Sequence, residues 1–225
     1  VSATGLAGSA VAAAAGRLSP LIARRAPRPV DQATLRGVGG TLVLTPVGSG
    51  WSTATALAVG LRPGGTLARL EILARRAAAA HVPASPSADQ RDVTPASRLD
   101  AAPPPAAAAE AVEDLDAFGP LTAQSYREPT SGALIHCFVS PGASAAELAP
   151  FAWELAQVMA QGAQAGALGS FHSAVLCSGR ERIEIRRLGS TTGPEPVLVV
   201  AGADTGRPGL ARLQVERTAA RLSGA

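Results

Sequence analysis

The chain contains neither lysine nor asparagine among its 225 residues, and all 20 of its basic residues are arginine. Without lysine, a chain cannot hold the phosphate-loop lysine of Walker-type nucleotide sites, a Schiff base or the ATP-contacting lysine of kinases. Without asparagine, it has no acceptor for N-glycosylation. These enzyme and modification classes are therefore excluded for this chain.

Cysteine and long apolar runs are also scarce. Cys137 and Cys177 are the only cysteines, whereas a secreted domain of this size that relied on disulfides would carry more. No apolar run reaches the ~18 residues that span a bilayer, and the alanine-rich start lacks the charged region of a signal peptide. We therefore expect a cytoplasmic protein with no membrane span.

The charge balance is close to neutral, with 20 basic and 17 acidic residues giving a net charge of +3. The arginines are scattered, and aromatic residues make up only 3% of the chain, so few rings are available to stack on bases. We expect no nucleic-acid partner. With so few large rings, the core must be packed from alanine, leucine and valine, which favours two compact modules.

A proline-rich segment separates two flanks that resemble each other. Six prolines lie between residues 83 and 105, which is typical of a linker. The sequence therefore predicts a shortened module at residues 1–81, a Pro/Ala-rich linker at 82–127 and a second module at 128–225. Acidic residues at 110–116 lie beside Val112, Leu115 and Phe118, so this part forms either a short docked helix or, as we favour, a solvated tether.

Each flank has the order strand, strand, helix. Strands are predicted at 40–48 and 55–61, and again at 182–189 and 196–201. The helix that follows carries the quartet Leu-Ala-Arg-Leu in both flanks, at 67–70 and at 210–213. The sequence therefore predicts an internal repeat, with a further N-terminal strand around residues 33–38.

Upstream of each strand pair lies a predicted helix. The two predicted helices share a similar segment, which is Leu18-Ser19-Pro20-Leu21 in the first flank and Leu148-Ala149-Pro150-Phe151 in the second. In the second copy, Ser144 and Glu147 have capping-box spacing. A helix that began there would hold Pro150 beyond its first turn, so we place its start near Leu148 and its end near Gly162 or Gly166. Strands are predicted on either side, at 133–139 and 171–177.

This pattern resembles the roadblock family, the dynein light chain type of domain that bacteria and archaea also use near small Ras-like GTPases. The resemblance rests on residues 182–189 and 196–203 as strands and on residues 208–217 as the start of the last helix. A weaker match covers residues 39–80. The resemblance implies an α/β (α+β) fold of two tandem modules, each a mainly antiparallel sheet of about five strands covered by helices.

The resemblance also implies a function. Members of this family pair into dimers, so the two copies would form either a pseudo-dimer within one chain or a homodimer. The expected role is a non-enzymatic scaffold or regulator that contacts a small Ras-like GTPase, with no catalytic residue, cofactor or metal. The alternative is a ligand-binding module of the profilin, PAS or longin type, which shares a helix-covered antiparallel sheet. A small hydrolase without a recognisable motif is a third hypothesis.

Two sets of residues invite a chemical interpretation. His136 and Cys137, with His172 and Cys177 on another predicted strand, are zinc-ligand types, but neighbours on a strand point to opposite faces. We therefore expect buried structural cysteines. The glycine-rich segments 37–40 and 48–52 lie between predicted strands, where hairpin turns are expected rather than phosphate-binding loops.

The most promising surface residues lie on predicted helices. Arginines on the last helix of each flank sit among apolar residues, where they would either anchor an interface or form a solvated face. Trp153 lies between the core positions of its helix and would reach a partner or pack at the core edge. The candidate interface residues are Arg69, Arg76, Trp153, Arg212 and Arg217.

Overall fold

The computed structural model describes residues 8–46, 51, 56–61, 71–72, 74, 76–78, 98–161, 171–189 and 194–223. The α-helices are α1 (Gly8–Arg25), α2 (Ala106–Ala111), α3 (Ala145–Gln161) and α4 (Pro208–Ser223), and a 3-10 helix covers Glu113–Phe118. Residues 71, 72, 74 and 76–78 are also helical. The strands are β1 (Gln32–Gly37), β2 (Gly40–Pro46), β3 (Ala56–Leu61), β4 (Asp100–Ala102), β5 (Thr122–Arg127), β6 (Leu134–Val139), β7 (Phe171–Ser178), β8 (Glu181–Arg187) and β9 (Val197–Ala203). The fold is α+β, as predicted.

The chain divides into two compact units. Unit 1 comprises residues 1–93 and 157–178, and unit 2 comprises residues 94–156 and 179–225. In unit 1 the strands lie in the order β3-β2-β1-β7, and neighbouring strands are antiparallel. In unit 2 the order is β8-β9-β6-β5-β4, with β6 and β9 parallel and the other pairs antiparallel. β7 falls in the predicted module 128–225 but belongs to unit 1, so the predicted module boundaries differ from those of the units.

The core of unit 1 follows from the alternation of side chains along β1 and β2. Ala33 and Leu35 lie opposite Leu44 and Leu42, and all four are fully buried. Opposed residues on antiparallel strands share one face. Helix α1 packs against β2 and β3 and buries Val11, Leu18 and Ile22, which share one face of the helix.

The turn between β1 and β2 is a two-residue hairpin, because Gly37 pairs directly with Gly40. Val38 lies at its tip and is 78% exposed. The predictions of a strand near residues 33–38 and of a hairpin at 37–40 are confirmed. The other glycine-rich segment, 48–52, lies outside the described residues apart from Trp51, whose indole Nε1 donates to the carbonyl oxygen of Val30.

Unit 2 buries one face of its sheet under three helical elements. Helix α4 packs against α2 and the 3-10 helix, which itself packs against β9. A cluster of buried apolar residues lies between the sheet and these helical elements. Its members come from strands and helices alike and include Phe118, Phe138, Leu198, Val200, Ala211, Val215, Ala219 and Leu222. Gly202 lies beneath the 3-10 helix, where an added Cβ would lie 2.4 Å from the carbonyl oxygen of Phe118. Glycine at position 202 therefore permits the close approach of two backbones.

Strand residues that point to the opposite face are buried as well, including Ile183, Ile185 and Val199. Helix α3 buries an apolar face of its own, formed by Leu148, Phe151, Ala152, Leu155 and Met159. These positions recur at three- and four-residue steps, as the sequence predicts.

The prediction that α3 starts near Leu148 was wrong. The helix begins at Ala145, and Ser144 Oγ accepts a hydrogen bond from the backbone N–H of Glu147 at 3.3 Å, which is half of a capping box. Pro150 lies in the second turn. A proline there removes one helical hydrogen bond, and the helix continues because the apolar face that follows is fully buried.

The prediction of a linker was wrong for residues 98–127. This segment forms β4, α2, the 3-10 helix and β5, and β5 pairs along its whole length with β6. Alanine is small enough to pack closely, and Ala108 and Ala111 are fully buried. Leu115 and Phe118 are buried beside them, so this segment is the docked alternative rather than the solvated tether.

No described helix is long and apolar enough to cross a membrane.

Candidate interaction surfaces

The pairing of β1 with β7 joins strands from the two predicted repeats. The pairs run from Gln32 opposite Cys177 to Arg36 opposite Ser173, and the N–H of Asp31 extends the ladder by donating to the Cys177 carbonyl at 2.7 Å. β1 belongs to the first repeat and β7 to the second. Because β1 also pairs with β2 on its other side, both of its edges are hydrogen-bonded within this chain, and it offers no free edge to another.

A buried polar cluster holds the helical residue Glu71 against β1 and β2. Gln32 Nε2 donates to Thr45 Oγ1 at 3.1 Å and to the Glu71 carbonyl at 3.2 Å. Thr34 Oγ1 donates to the Glu71 carboxylate at 2.9 Å. Because these contacts satisfy the buried side chains of Gln32, Thr34 and Thr45, they hold the half-buried Glu71 on the strands.

The outward face of α4 carries exposed apolar residues. Leu210 and Leu213 are 37% and 42% exposed, and Arg217 follows one turn after Leu213 and is exposed. Residues at these three- and four-residue steps lie on one side of a helix. Arg217, a predicted interface residue, therefore shares a surface with two leucines.

Other arginines of α4 are engaged in ion pairs. Arg212 Nε lies 2.8 Å from Glu216 Oε1, and Arg186 also approaches that oxygen at 3.8 Å. Arg221 lies 2.7 Å from the Asp114 carboxylate. Arg212, predicted as an interface residue, is thus exposed but already paired with a residue one turn away, as in the solvated-face alternative.

The helical residues near 71–78 repeat part of this arrangement. Ile72 is 54% exposed, and Arg76, one turn later, is exposed, whereas Ala74 and Ala78 are buried. The last helix of each predicted repeat therefore presents an exposed apolar residue followed by an exposed arginine. Trp153 is half-buried on α3. The predicted interface residue Arg69 lies outside the described residues.

The described histidine and cysteine residues, His136, His172, Cys137 and Cys177, do not form a reactive centre. His136 is buried with its Nδ1 3.0 Å from Ser125 Oγ, and burial lowers its pKa, which favours the neutral ring. Burial raises the pKa of the neighbouring Cys137 thiol to about 12, so the thiol stays protonated and is a poor nucleophile and ligand. His172 is exposed, and Cys177 is half-buried rather than buried as expected. In the part of the chain that the structure describes, no group of three or more His, Cys, Asp or Glu side chains could hold a metal ion.

The sequence analysis did not predict the contacts between the 3-10 helix and α4, which join residues about 97 positions apart in the sequence. Gln214 is buried on α4 and bonds both to Asp116 and to the Ala117 backbone. Thr205 Oγ1 donates to the Ala117 carbonyl at 2.8 Å. The one signal in the sequence was that a glutamine occupies a position among the apolar residues of the helix.

A search of protein-family models, of curated proteins and of solved structures finds no match to this chain.

Proposed function

We propose that this chain is a non-enzymatic scaffold whose two repeats pair with each other and whose last helices contact a partner protein. The observation that carries the proposal is the antiparallel pairing of β1 with β7. This pairing uses main-chain hydrogen bonds, so it links the two repeats within one chain as two subunits would be linked through strand edges. Pairing within the chain thus takes the place of a homodimer.

The packing of the unit 2 sheet supports a scaffold over a small-molecule receptor. A ligand site between sheet and helix needs a cavity of several hundred Å³. On the side of the sheet that α4 and the 3-10 helix cover, the backbone of Phe118 lies against Gly202 so closely that even a methyl group would overlap it. Both faces of β8 and β9 are lined by buried side chains, which is typical of a structural core.

The resemblance to the roadblock family makes a small Ras-like GTPase the partner class to test first. The exposed arginines are the contacts we favour, since arginine is enriched at protein interfaces. In this proposal the chain biases the conformation of the GTPase through surface contacts and supplies no catalytic group.

Binding to purified small Ras-like GTPases of the source organism, loaded with GDP or with a non-hydrolysable GTP analogue, tests this partner class. We expect saturable binding to at least one of them, with a difference in affinity between the two nucleotide states. We expect Arg217→Glu to weaken it, and Arg98→Glu, which reverses an exposed arginine outside the predicted surfaces, to leave it unchanged. Absence of binding to every GTPase in both nucleotide states would contradict this partner assignment.

A further inference from the structure

The outward face of α4 carries two exposed leucines, and two exposed arginines that have no partner among the described residues lie on the helix or directly before it. Leu210 and Leu213 supply the apolar part. Arg207 precedes the helix, Arg217 lies two turns into it, and both are exposed. Among the residues that the structure describes, neither arginine side chain takes part in a hydrogen bond or ion pair. We call Arg207, Leu210, Leu213 and Arg217 the α4 face.

Two acidic side chains on or beside α4 are bound by arginines that do not belong to the α4 face. Glu216 is bound by Arg212 and Arg186, and Asp114 is bound by Arg221. An exposed arginine gains little from a surface ion pair alone, but an arginine beside an apolar contact is partly desolvated when a partner docks. The charge of the α4 face is therefore free to select a partner that carries carboxylates.

We propose that the α4 face binds an acidic amphipathic helix of a partner protein. Leucines at three-residue spacing on one side of α4 can pack against the apolar face of such a helix, as in the packing of two helices side by side. Glutamate or aspartate residues beside that apolar face would then pair with Arg207 and Arg217. This inference names the partner surface of the proposed scaffold and rests on that function.

A second copy of this chain does not fit the same face. Two α4 faces packed against each other would bring four arginines into one interface, and the α4 face carries no carboxylate to meet them. Like charges placed together in an interface oppose association. Charge complementarity therefore favours a partner of different sequence.

The first repeat carries a similar pair of residues. Ile72 and Arg76 are exposed at a four-residue step, as Leu213 and Arg217 are on α4. A lone exposed apolar residue needs no explanation. The recurrence of an apolar residue with an arginine one turn later, on the last helix of each repeat, supports a binding role over chance exposure.

Fluorescence anisotropy with a designed probe tests the proposal on the full chain. The probe is a fluorescein-labelled 16-residue synthetic helix with leucine at positions i, i+3 and i+7 and glutamate at the flanking positions. We expect saturable binding that weakens as salt is raised. Arg217→Glu should weaken it about tenfold or more, because it replaces an attraction by a repulsion.

Two further variants separate the contributions. Leu213→Asp removes an apolar contact and adds a repulsive charge, so we expect it to abolish binding. Arg98→Glu reverses the charge of an exposed arginine elsewhere and should leave the affinity unchanged. Far-UV circular dichroism of each variant checks that the fold is retained, which surface substitutions are expected to preserve.

Any of four binding results would overturn the proposal. The first two are no binding of the probe and equal weakening by Arg98→Glu. The other two are equal binding of a probe with lysine in place of glutamate and preferential binding of a single-stranded oligonucleotide through Arg217. A concentration-dependent rise in mass that Leu213→Asp abolishes would assign the face to a second copy and would also overturn it. If the probe fails while the chain stays monomeric, the α4 face proposal falls and the paired-repeat scaffold stands.

Discussion

Gln214 in α4 accepts a hydrogen bond on its side-chain Oε1 from the backbone N–H of Ala117, at 3.0 Å and across 97 residues of sequence. Its Nε2 donates to the Asp116 carboxylate. One buried amide thus satisfies a backbone donor at the end of the 3-10 helix and holds a charged neighbour. It explains why a segment with the composition of a linker is docked on the last helix.

Replacing this amide should destabilise unit 2. Gln214→Ala leaves the Ala117 N–H without its partner in a buried site, which costs about 1–3 kcal/mol. Chemical denaturation followed by circular dichroism measures the loss. Gln157→Ala is the matched control, because Gln157 is exposed on α3, and it should change the free energy of unfolding by less than about 0.5 kcal/mol. Equal losses in the two variants would contradict the role of Gln214.

Gly202→Ala should disturb the docking of the 3-10 helix. The added methyl group would lie 2.4 Å from the carbonyl oxygen and 2.7 Å from the Cβ of Phe118, so one backbone must move, at a cost of about 1–3 kcal/mol. Gly209→Ala is the control, because a Cβ there meets nothing within 4 Å. We expect a lower Tm for Gly202→Ala and an unchanged or higher Tm for Gly209→Ala. A Tm for Gly202→Ala that matches the wild type would show that the two backbones are not in contact.

A buried ion pair on β8 provides a separate test. Arg182 lies 2.6 Å from the Glu184 carboxylate, and their side chains are only 9% and 7% exposed. Glu184→Leu alone leaves a buried charge unpaired, and we expect it to cost about 3–5 kcal/mol. The double variant Arg182→Met with Glu184→Leu removes both charges and should recover most of that stability. A double variant less stable than Glu184→Leu would contradict this account of the pair.

The Glu128 carboxylate, in the turn between β5 and β6, should make the stability of this turn depend on pH. Hydrogen bonds to the Glu128 carboxylate from the Ser131 hydroxyl and from the backbone N–H groups of Ser131 and Thr130 lower its pKa to about 2. Because the folded pKa lies below the unfolded value, the carboxylate stabilises the turn above the usual pKa near 4.5, and this contribution is lost as the pH falls towards about 2.

An NMR titration of the Glu128 carboxyl carbon measures this directly. We expect a midpoint near 2, and Ser131→Ala should move the midpoint upwards because it removes the strongest hydrogen bond. Ser223→Ala, at the end of α4, should leave it unchanged. A wild-type midpoint at the ordinary value would mean that the turn does not hold the carboxylate in solution.

Much of the fold could be predicted from local pattern. Alternation located β8, a continuous apolar run located β9, and the three- and four-residue spacing located the buried face of α3. The pairing of β1 with β7 could not be predicted from local pattern. Its hydrogen bonds link segments about 140 residues apart, and they depend on tertiary packing rather than on propensity.

Composition misled the prediction at residues 98–127. Proline and alanine are frequent in linkers, but Pro105 precedes a helix whose alanines are small enough to lie against α4. Among the predicted interface residues, Arg76 and Arg217 are exposed beside apolar neighbours, whereas Arg212 is held by Glu216. Sequence spacing could not distinguish these arginines, since it does not show which carboxylate each one meets.

The most direct test of the paired-repeat account is the solution mass of the full chain, measured by light scattering across a dilution series. Because β7 pairs with β1 of the same chain, the account predicts a mass of 22.5 kDa at every concentration. A mass that rises towards twice this value as concentration increases would mean that the repeats pair between chains, and it would contradict the account.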